Sequence, residues 1–419
     1  MKTATVKGTR DYLPREAELR DYMQRQILET YRSFGFRQII TPVLEDIGNL
    51  NSSEGGDNLG LMFKVLKRGN KLTAAIANRE FESLADMGMR YDLTVPLSRY
   101  YAENRAKLVL PMKCIQIGNA YRAENPQRGR YREFIQCDID MIGVDSYWAE
   151  VELIATTATA LNSLGIGAFR IRVNDRRILK QLFLSFGFEE DHVSALCVIF
   201  DKMDKIGVCG IERELSDKGF YAAACLRMLE YVRSADFSMG RCMRIIGASD
   251  YTQNIESIIR AVNEISGAQY RCEFDISLVR GQGYYTGAVF EVESLAYSGS
   301  LAGGGRYDNL IGRFLDESVP AVGFSIGFER IFDLLMEQNY VAANGRKRIA
   351  VFFEGDYGAA FQCARDLRRD YDVSIFARPK KLGKFLDQLR RDGYTGFCMA
   401  EAAPELTFFT PEKVKTVPQ

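Results

Sequence analysis

The sequence is poor in the residues that most often build metal centres. It contains a single histidine, His192, and its nine cysteines include no Cys-x-x-Cys pair. Structural zinc is usually held by closely spaced cysteine and histidine ligands, so no zinc site is expected. Because the one histidine lies in "EEDHVSAL", a pattern typical of a solvated helix start, acid–base chemistry by a histidine side chain is excluded as well.

The sequence also lacks an excess of charge and any long apolar run. Lysine plus arginine and aspartate plus glutamate both number 55, so the formal net charge is zero. A nucleic acid would therefore have to be bound through a local basic patch, because the whole chain offers it no attraction. The dispersed cysteines, the absence of a run of about 18 apolar residues and an N-terminus without an apolar core predict a cytoplasmic protein with no membrane segment.

What is present is an ordinary globular composition, with 47% hydrophobic and 26% charged residues in a chain of 419. At roughly 100 to 200 residues per domain, this length predicts two or three domains. Alternating patterns predict strands within 112–122, 132–143 and 271–294, and helical spacing predicts helices at 15–34 and 147–164.

Two further regions differ in character from the rest of the chain. Short helical patterns separated by glycine occupy about 180–250 and predict a helical insertion. After the linker-like "AANGRKR", alternating strand and helix patterns predict a small, basic βαβαβ domain at 346–419. We therefore expect a main domain at 1–340, carrying the insertion, and a smaller C-terminal domain.

Polar and apolar residues alternate along "FIQCDIDMIG". A period of two places Phe134, Gln136, Asp138 and Asp140 on one face of a strand and the apolar residues on the other. The polar face is either a solvent-facing side of a sheet or the wall of a pocket that offers an aromatic ring, an amide and two carboxylates.

The preceding strand, "CIQIGNAYRAEN", favours the pocket. Arg122 shares a face with Gly118, and small residues there predict open space in front of the guanidinium group. The following loop adds Arg128, Arg130 and Arg132. Guanidinium groups bind phosphate oxygens in pairs. Two antiparallel strands would thus present cations beside carboxylates, as a ligand with both phosphates and an ammonium group requires.

Three other stretches add candidate polar groups. "MRYDLTVP" places Asp92 and Thr94 on one face of a further predicted strand. "LVRGQGYYTG" predicts a hairpin with Arg280 and two tyrosines around its turn. The glycines of "AGGGRYD" fit either a close ligand approach or a tight sheet crossing. Neither glycine-rich stretch matches a dinucleotide-binding or Walker motif.

Together these motifs resemble class II aminoacyl-tRNA synthetases and, within that class, histidyl-tRNA synthetases. "KGTRDYLP" is similar to that family's N-terminal motif. "FGFRQIITPVLED", "YRAENPQRGRYREFIQCDIDMIG" and "AVGFSIGFERI" resemble class II motifs 1, 2 and 3. "LVRGQGYYTG" and "AGGGRYD" resemble the two histidine-specific motifs. The resemblance covers about Lys7 to Leu335 and is weaker beyond.

The resemblance implies an α+β fold: an antiparallel catalytic sheet with flanking helices and a helical insertion, plus a small C-terminal α/β domain like an anticodon-binding domain. It also implies a homodimer that associates through motif 1. Such an enzyme uses ATP and Mg²⁺ to adenylate L-histidine and then transfers the histidine to tRNA(His). No residue of the chain is expected to be a dedicated metal ligand.

Site residues follow from the resemblance by motif position. The implied catalytic residues are Arg122, at the α-phosphate, and Arg280, beside the reacting carboxylate. ATP is implied to contact Arg122, Glu124, Arg130, Phe134 and Arg330. Histidine is implied to contact Asp92, Thr94, Gln136, Asp140, Arg280, Tyr284, Tyr285 and Tyr307, with Asp140 and Tyr285 on the two imidazole nitrogens.

Two departures from the family pattern keep other hypotheses open. Gln282-Gly283 replaces the usual Leu-Asp, and no final helix is expected after "ELTFFTPEKVKTVPQ". The short C-terminus favours a non-charging paralog, like the regulatory subunit of ATP phosphoribosyltransferase in histidine biosynthesis. The presence of Arg122, Arg280 and Arg330 favours the enzyme. A class II enzyme for another amino acid is disfavoured by "RGQGYYTG" together with Asp140.

Overall fold

The structure is a computed structural model that describes residues 1–51, 60–127, 129–200, 202–234, 236–280, 283–297, 299–338, 340, 346–400 and 405–409. The strands are β1 (Arg37–Gln38), β2 (Leu44–Asp46), β3 (Lys64–Leu66), β4 (Ala85–Met89), β5 (Met112–Tyr121), β6 (Glu133–Ile142), β7 (Phe169–Asp175), β8 (Arg271–Phe274), β9 (Ala288–Ser294), β10 (Ser300–Arg306), β11 (Ala321–Gly327), β12 (Arg348–Phe353), β13 (Asp372–Ala377), β14 (Tyr394–Met399) and β15 (Thr407–Phe408).

The helices are α1 (Pro14–Ser33), α2 (Ile47–Asn51), α3 (Gly69–Ala77), α4 (Thr94–Asn104), α5 (Trp148–Ser163), α6 (Arg176–Phe186), α7 (Val193–Phe200), α8 (Met203–Asp217), α9 (Ala222–Arg233), α10 (Met239–Ile246), α11 (Asp250–Ile265), α12 (Phe328–Glu337), α13 (Tyr357–Leu367) and α14 (Leu382–Arg391). Within the described ranges, no helix has both the length and the apolar character needed to cross a bilayer.

An eight-stranded sheet dominates the larger part of the chain. Its strand order is β1-β5-β6-β11-β10-β9-β7-β8. Neighbouring strands are antiparallel except at the two ends, where β1 pairs with β5 and β7 pairs with β8 in parallel. A small three-stranded sheet, β2-β4-β3, lies in the same part of the chain. The predicted α+β class with an antiparallel sheet is confirmed.

Strands β5 and β6 match the two predicted strands to within a residue at each end. Their alternation has the expected cause, because Cys137, Ile139 and Met141 on the apolar face are fully buried. Helix α1 helps cover that face: the Tyr31 hydroxyl donates to the carbonyl of Cys137 at 3.3 Å. The other face of β6 is therefore left to line a cleft.

The predicted hairpin at "LVRGQGYYTG" is wrong. Strands β8 and β9, which flank this stretch, do not pair with each other; both pair with β7, on its opposite sides. Their common partner lies far earlier in the chain, on the other side of the helices α6 to α11. Glycine and alternation are local signals and do not report such a distant partner. The stretch is a connection between strands, and Gln282 lies outside the described residues.

The chain divides into two compact units, one comprising Met1–Asp11 with Met23–Gln338 and the other Tyr12–Tyr22 with Asn339–Gln419. The second unit contains a four-stranded sheet of order β13-β12-β14-β15, in which β12 is parallel to both β13 and β14. Helices α13 and α14 pack on β12 through its alternate residues, Val351 towards α13 and Phe352 towards α14. This is the predicted βαβαβ pattern. The expected absence of a final helix concerns residues 410–419, which lie outside the described ranges.

Candidate active site

One face of the eight-stranded sheet forms the floor of a cleft of about 770 Å³. Strands β6, β9, β10 and β11 contribute to it, together with the loop after β5, the connection before β9 and the start of α12. Every site residue predicted from the sequence lines this cleft: Asp92, Thr94, Arg122, Glu124, Arg130, Phe134, Gln136, Asp140, Arg280, Tyr284, Tyr285, Tyr307 and Arg330. Arg128 lies outside the described residues.

The polar face of β6 is a pocket wall rather than a solvent-facing side. Phe134, Gln136, Asp138 and Asp140 all line the cleft. Asp140 pairs in register with Gly323 of β11. A Cβ atom at that glycine would lie 2.0 Å from Asp140 Oδ1, so only glycine leaves room for the carboxylate.

Two tyrosines hold the carboxylates at one end of the cleft. The Tyr307 hydroxyl donates to Asp140 Oδ1 at 2.7 Å, and the Tyr284 hydroxyl donates to Asp92 Oδ2 at 3.2 Å. Asp140 Oδ2 is buried and has no hydrogen-bond partner among the described residues. Burial raises the pKa of Asp140 to about 7, against the opposing effect of the Tyr307 hydrogen bond. Burial likewise raises the pKa of Asp92.

Asp92 and Thr94 reach the cleft from a different element than predicted. Strand β4 ends at Met89, and Thr94 is the first residue of α4. Asp92 precedes that helix, and its Oδ1 accepts from the backbone N–H of Val95 at 3.1 Å. The alternation in "MRYDLTVP" is too short to separate a strand from a strand-to-helix junction, so the predicted strand is wrong here although both residues line the cleft.

Arginines occupy the other end of the cleft. Arg122 Nε donates to the carbonyl of Tyr91 at 2.9 Å, and its guanidinium carbon lies 5.1 Å from the centre of the Phe134 ring. Glu124 lies near two cations, with carboxylate oxygens 3.9 Å from Arg122 Nη1 and 3.6 Å from Arg130 Nη1. This end therefore presents fixed cations beside an aromatic ring.

The open space predicted in front of Gly118 is occupied. A Cβ atom at Gly118 would lie 2.4 Å from Nη2 of Arg90. Arg90 is buried and donates to the carbonyls of Thr41 and Asn119, both at 2.8 Å. The small residue at position 118 thus admits a structural arginine rather than a ligand.

Arg330 lies in the first turn of α12 and points back over the sheet. Its Nη1 donates to the carbonyl of Ser300. Burial, followed by the proximity of Arg130, lowers the pKa of Arg330. Two arginines that repel each other at the edge of a cleft are typical of an anion site.

Arg280 lies over the paired strands β9 and β10. Its Nη1 donates to Glu291 Oε2 at 2.8 Å. It lies against Gly303 of β10, where a Cβ atom would come within 2.1 Å of Nη1. This resolves part of the ambiguity of the three glycines: Gly303 admits Arg280, whereas Gly304 admits the Gly323 carbonyl of the neighbouring strand.

Several polar residues of the cleft have no role assigned from the sequence, among them Asp138, Glu291 and Ser325. Asp138 was visible as the second carboxylate on the polar face of β6. Glu291 alternates with apolar residues along "AVFEVE", which signals an inward polar group. Ser325 carries no local signal, because its importance arises from pairing in register with Asp138.

A sheet that is antiparallel across its centre, with carboxylates and phenols at one end of its cleft and arginines at the other, defines the catalytic core of a class II aminoacyl-tRNA synthetase. A sequence model of one family of that class, described as histidyl-tRNA synthetase, matches residues 8–331. The chain belongs to the histidyl-tRNA synthetase family.

Individual relatives extend the similarity over nearly the whole chain. A histidine–tRNA ligase of Leifsonia xyli is 40% identical over 415 residues, covering 94% of this chain and 95% of the relative. A histidine–tRNA ligase of Porphyromonas gingivalis is 37% identical over 403 residues, covering 91% and 88%. These relatives favour the enzyme over the regulatory paralog.

Solved structures share the fold. The crystal structure of histidyl-tRNA synthetase from Nostoc sp. PCC 7120 has a TM-score of 0.78 at 24% identity, covering 97% of this chain and 95% of that one. A structure from Bacillus halodurans, described as an ATP phosphoribosyltransferase regulatory subunit/histidyl-tRNA synthetase, has a TM-score of 0.73 at 22% identity, covering 95% and 99%. The fold alone thus does not separate the two hypotheses.

Proposed function

We propose that this protein is a histidine–tRNA ligase, which adenylates L-histidine with ATP and then transfers the histidyl group to tRNA(His). The observation that carries the proposal is the position of Arg280, which lines one cleft together with Tyr285 at the acidic end and Arg330 at the basic end. An amino acid and a nucleotide bound at the two ends would meet at this arginine.

The acidic end suits histidine. Asp140 Oδ2 has no partner in the described structure and would accept a hydrogen bond from one ring N–H, while Tyr285 would pair with the other ring nitrogen. Asp92, Thr94 and Gln136 would hold the α-ammonium group. An amino acid without an imidazole would leave these buried polar groups unpaired, which is costly.

The basic end suits ATP. Phe134 would stack on the adenine ring, with Glu124 facing the nucleotide and Arg330 against its opposite side. Arg122 would bind the α-phosphate, and Arg130 would bind the more distal phosphates. Support comes from the clustering of these side chains in one cleft and from the mutual repulsion of Arg130 and Arg330, which a bound anion would relieve.

The first reaction step follows from this arrangement. The histidine carboxylate attacks the α-phosphorus, and pyrophosphate leaves. Negative charge increases on the five-coordinate phosphorus, so the fixed cations Arg122 and Arg280 stabilise the transition state more than the ground state. In the second step, a terminal ribose hydroxyl of the tRNA attacks the acyl carbon, and AMP leaves.

Mg²⁺ fits the basic end of the cleft. Glu124 and Glu291 supply carboxylate oxygens there, the donors that Mg²⁺ prefers, and the ion usually binds through only one or two carboxylates together with substrate phosphates. When bound with ATP, Mg²⁺ would neutralise charge on the departing pyrophosphate.

The protein would act as a homodimer in the cytoplasm. The segment that resembles motif 1 contains Ile40, which is 85% exposed in the single chain and lies two residues beyond the edge strand β1. Val109, before β5, is 81% exposed. Exposed apolar residues beside an unpaired sheet edge support association of two copies. Nine free cysteines suit a reducing compartment.

The unit containing residues 346–400 would bind the anticodon end of the tRNA, while the larger unit carries out the chemistry. Lysines and arginines close together in the sequence of this smaller unit support the assignment: Arg346, Lys347, Arg348, Arg365, Arg368, Arg369, Lys380, Lys381 and Lys384. Such cations contact phosphates and release counterions, so tRNA affinity should fall as salt rises.

The proposal is tested by histidine-dependent exchange between ATP and radiolabelled pyrophosphate, followed by charging of tRNA(His). We expect both activities. Histidine binding without exchange or charging would refute the ligase and favour the regulatory paralog. Exchange driven by another amino acid would refute the substrate.

A further inference from the structure

The amide of Gln136 is oriented by its surroundings. Its Nε2 donates to both oxygens of Asp138, at 3.3 and 3.4 Å, and to Ser325 Oγ at 3.3 Å. Its Oε1 is buried and has no hydrogen-bond partner among the described residues. Three acceptors therefore surround the donor end of the amide, and the acceptor end is left for a ligand.

A charged Asp138 side chain is energetically unfavourable at its buried position on β6. It is only 4% exposed, and it lies in register with Ser325, which hydrogen-bonds to it. Asp140 and Asp92 crowd it with like charge, and Arg90 interacts with it as an opposite charge. Burial, followed by the charge of Asp140, raises its pKa well above the ordinary value. A buried acid of this kind lowers stability unless a cation compensates it.

We propose that Asp138 is a positioning residue for the substrate ammonium group, because it fixes the Gln136 amide with Oε1 directed towards that group. This inference rests on the proposed function. Without Asp138, the amide could turn and present its NH₂ group, replacing an acceptor of the ammonium hydrogens with a donor that repels them. The ammonium group, in turn, adds a positive charge beside the buried carboxylates.

The test replaces Asp138 with asparagine, which keeps the shape and removes the charge. In pyrophosphate exchange, the histidine KM of Asp138→Asn should rise about tenfold or more, as expected for the loss of a charge-assisted contact. The ATP KM should stay within about twofold of wild type, since the ATP groups are untouched. The exposed Asp191→Asn is the matched carboxylate-to-amide control and should change neither constant.

Two histidine analogues separate positioning of the ammonium group from general damage to the pocket. Histidinol keeps the ammonium group and lacks the carboxylate, whereas 3-(imidazol-4-yl)propanoate lacks the ammonium group. As inhibitors of exchange, histidinol should weaken with Asp138→Asn as histidine does, and the propanoate should be unaffected. Equal weakening of both analogues, or of neither, would overturn the proposal.

A double-mutant cycle tests whether Asp138 acts through the amide. In a Gln136→Ala background, Asp138→Asn should change the histidine KM by less than about twofold, because the amide is already gone. If the two effects multiply, Asp138 acts independently and the positioning role is wrong. If a thermal unfolding scan shows that Asp138→Asn does not fold, Ser325→Ala takes its place, because Ser325 is another acceptor of the same amide. Ser325→Ala should then raise the histidine KM, and an unchanged KM would overturn the proposal.

A different experimental result would show that the proposed function itself is wrong. A wild-type protein without exchange activity would refute the ligase. Calorimetric titration with histidine would then still measure whether Asp138→Asn weakens binding, and undiminished affinity would overturn the positioning role.

Discussion

Arg280→Ala should leave the fold intact and remove most of the adenylation activity. Arg280 is outside any helix or strand, and its Nη1 donates to Glu291 Oε2 at 2.8 Å. Removing it leaves Glu291 with Arg172, whose Nη1 lies 3.8 Å from the other carboxylate oxygen. The loss of one partly exposed charged hydrogen bond should lower the free energy of unfolding by about 1–2 kcal/mol.

The effect on catalysis should be much larger than the effect on stability. Removal of one preorganised donor from a site of developing negative charge typically lowers kcat by about 100-fold or more. Because Arg280 lines the cleft with only 22% of its side chain exposed, water replaces the lost charge poorly. Arg280→Lys should recover only part of the activity, since an ammonium group cannot bind two oxygens side by side.

The assay is histidine-dependent pyrophosphate exchange at saturating ATP and histidine. Arg170→Ala is the matched control: Arg170 Nε contacts Glu293, two residues beyond Glu291 on the same strand, at the same 2.8 Å, and it does not line the cleft. Exchange within about twofold of wild type in Arg280→Ala would refute the catalytic role. An equal loss in Arg170→Ala would show that the effect is structural.

Three further predictions concern other parts of the chain. Asp140→Asn should raise the histidine KM about tenfold and leave the ATP KM nearly unchanged. Because the pKa of Asp140 is raised to about 7, its charged form accumulates between pH 6 and 8, and the wild-type histidine KM should fall over that range more steeply than that of the variant. Equal slopes would contradict the assignment. A chain ending near Asn344 should keep exchange and lose most tRNA charging; equal charging by both lengths would show that the smaller unit is dispensable. Gly304→Ala would place a Cβ atom 2.0 Å from the Gly323 carbonyl oxygen, so urea titration should show a loss of about 1–3 kcal/mol, and an unchanged midpoint would refute the packing argument.

Long alternating patterns allowed accurate prediction from the sequence. Strands β5 and β6 were located closely because each spans ten residues, and in β6 the apolar residues that alternate with polar ones, Cys137, Ile139 and Met141, are fully buried. The grouping of the site residues followed from the family resemblance, and the structure brings their side chains into one cleft.

Features that depend on distant partners were not predictable in the same way. The connection at Arg280 was predicted to be a hairpin because β8 and β9 flank it in the sequence. In the sheet, however, β7 lies between them, and β7 is separated from β8 along the chain by six helices. Gly118 predicts open space for a ligand, but Arg90, which comes from another loop, fills that space. The alternation along β6 places Asp138 on the polar face but does not predict its contact with Gln136. The acceptors around the Gln136 amide also include Ser325, which is 189 residues away in the sequence.

The pairing of β6 with β11 constrains how the protein can be synthesised. Asp140 and Gly323 share a register position, and Tyr307, which holds Asp140, is 167 residues further along the chain. A ribosome therefore releases β5 and β6 long before their partner strand exists. Until Gly327 has emerged, β6 is an open sheet edge with its carboxylates unheld, a state prone to pairing with other chains. The cleft is thus completed late, and a nascent chain arrested before that point carries Arg122, the proposed nucleotide contact, without a finished pocket around it.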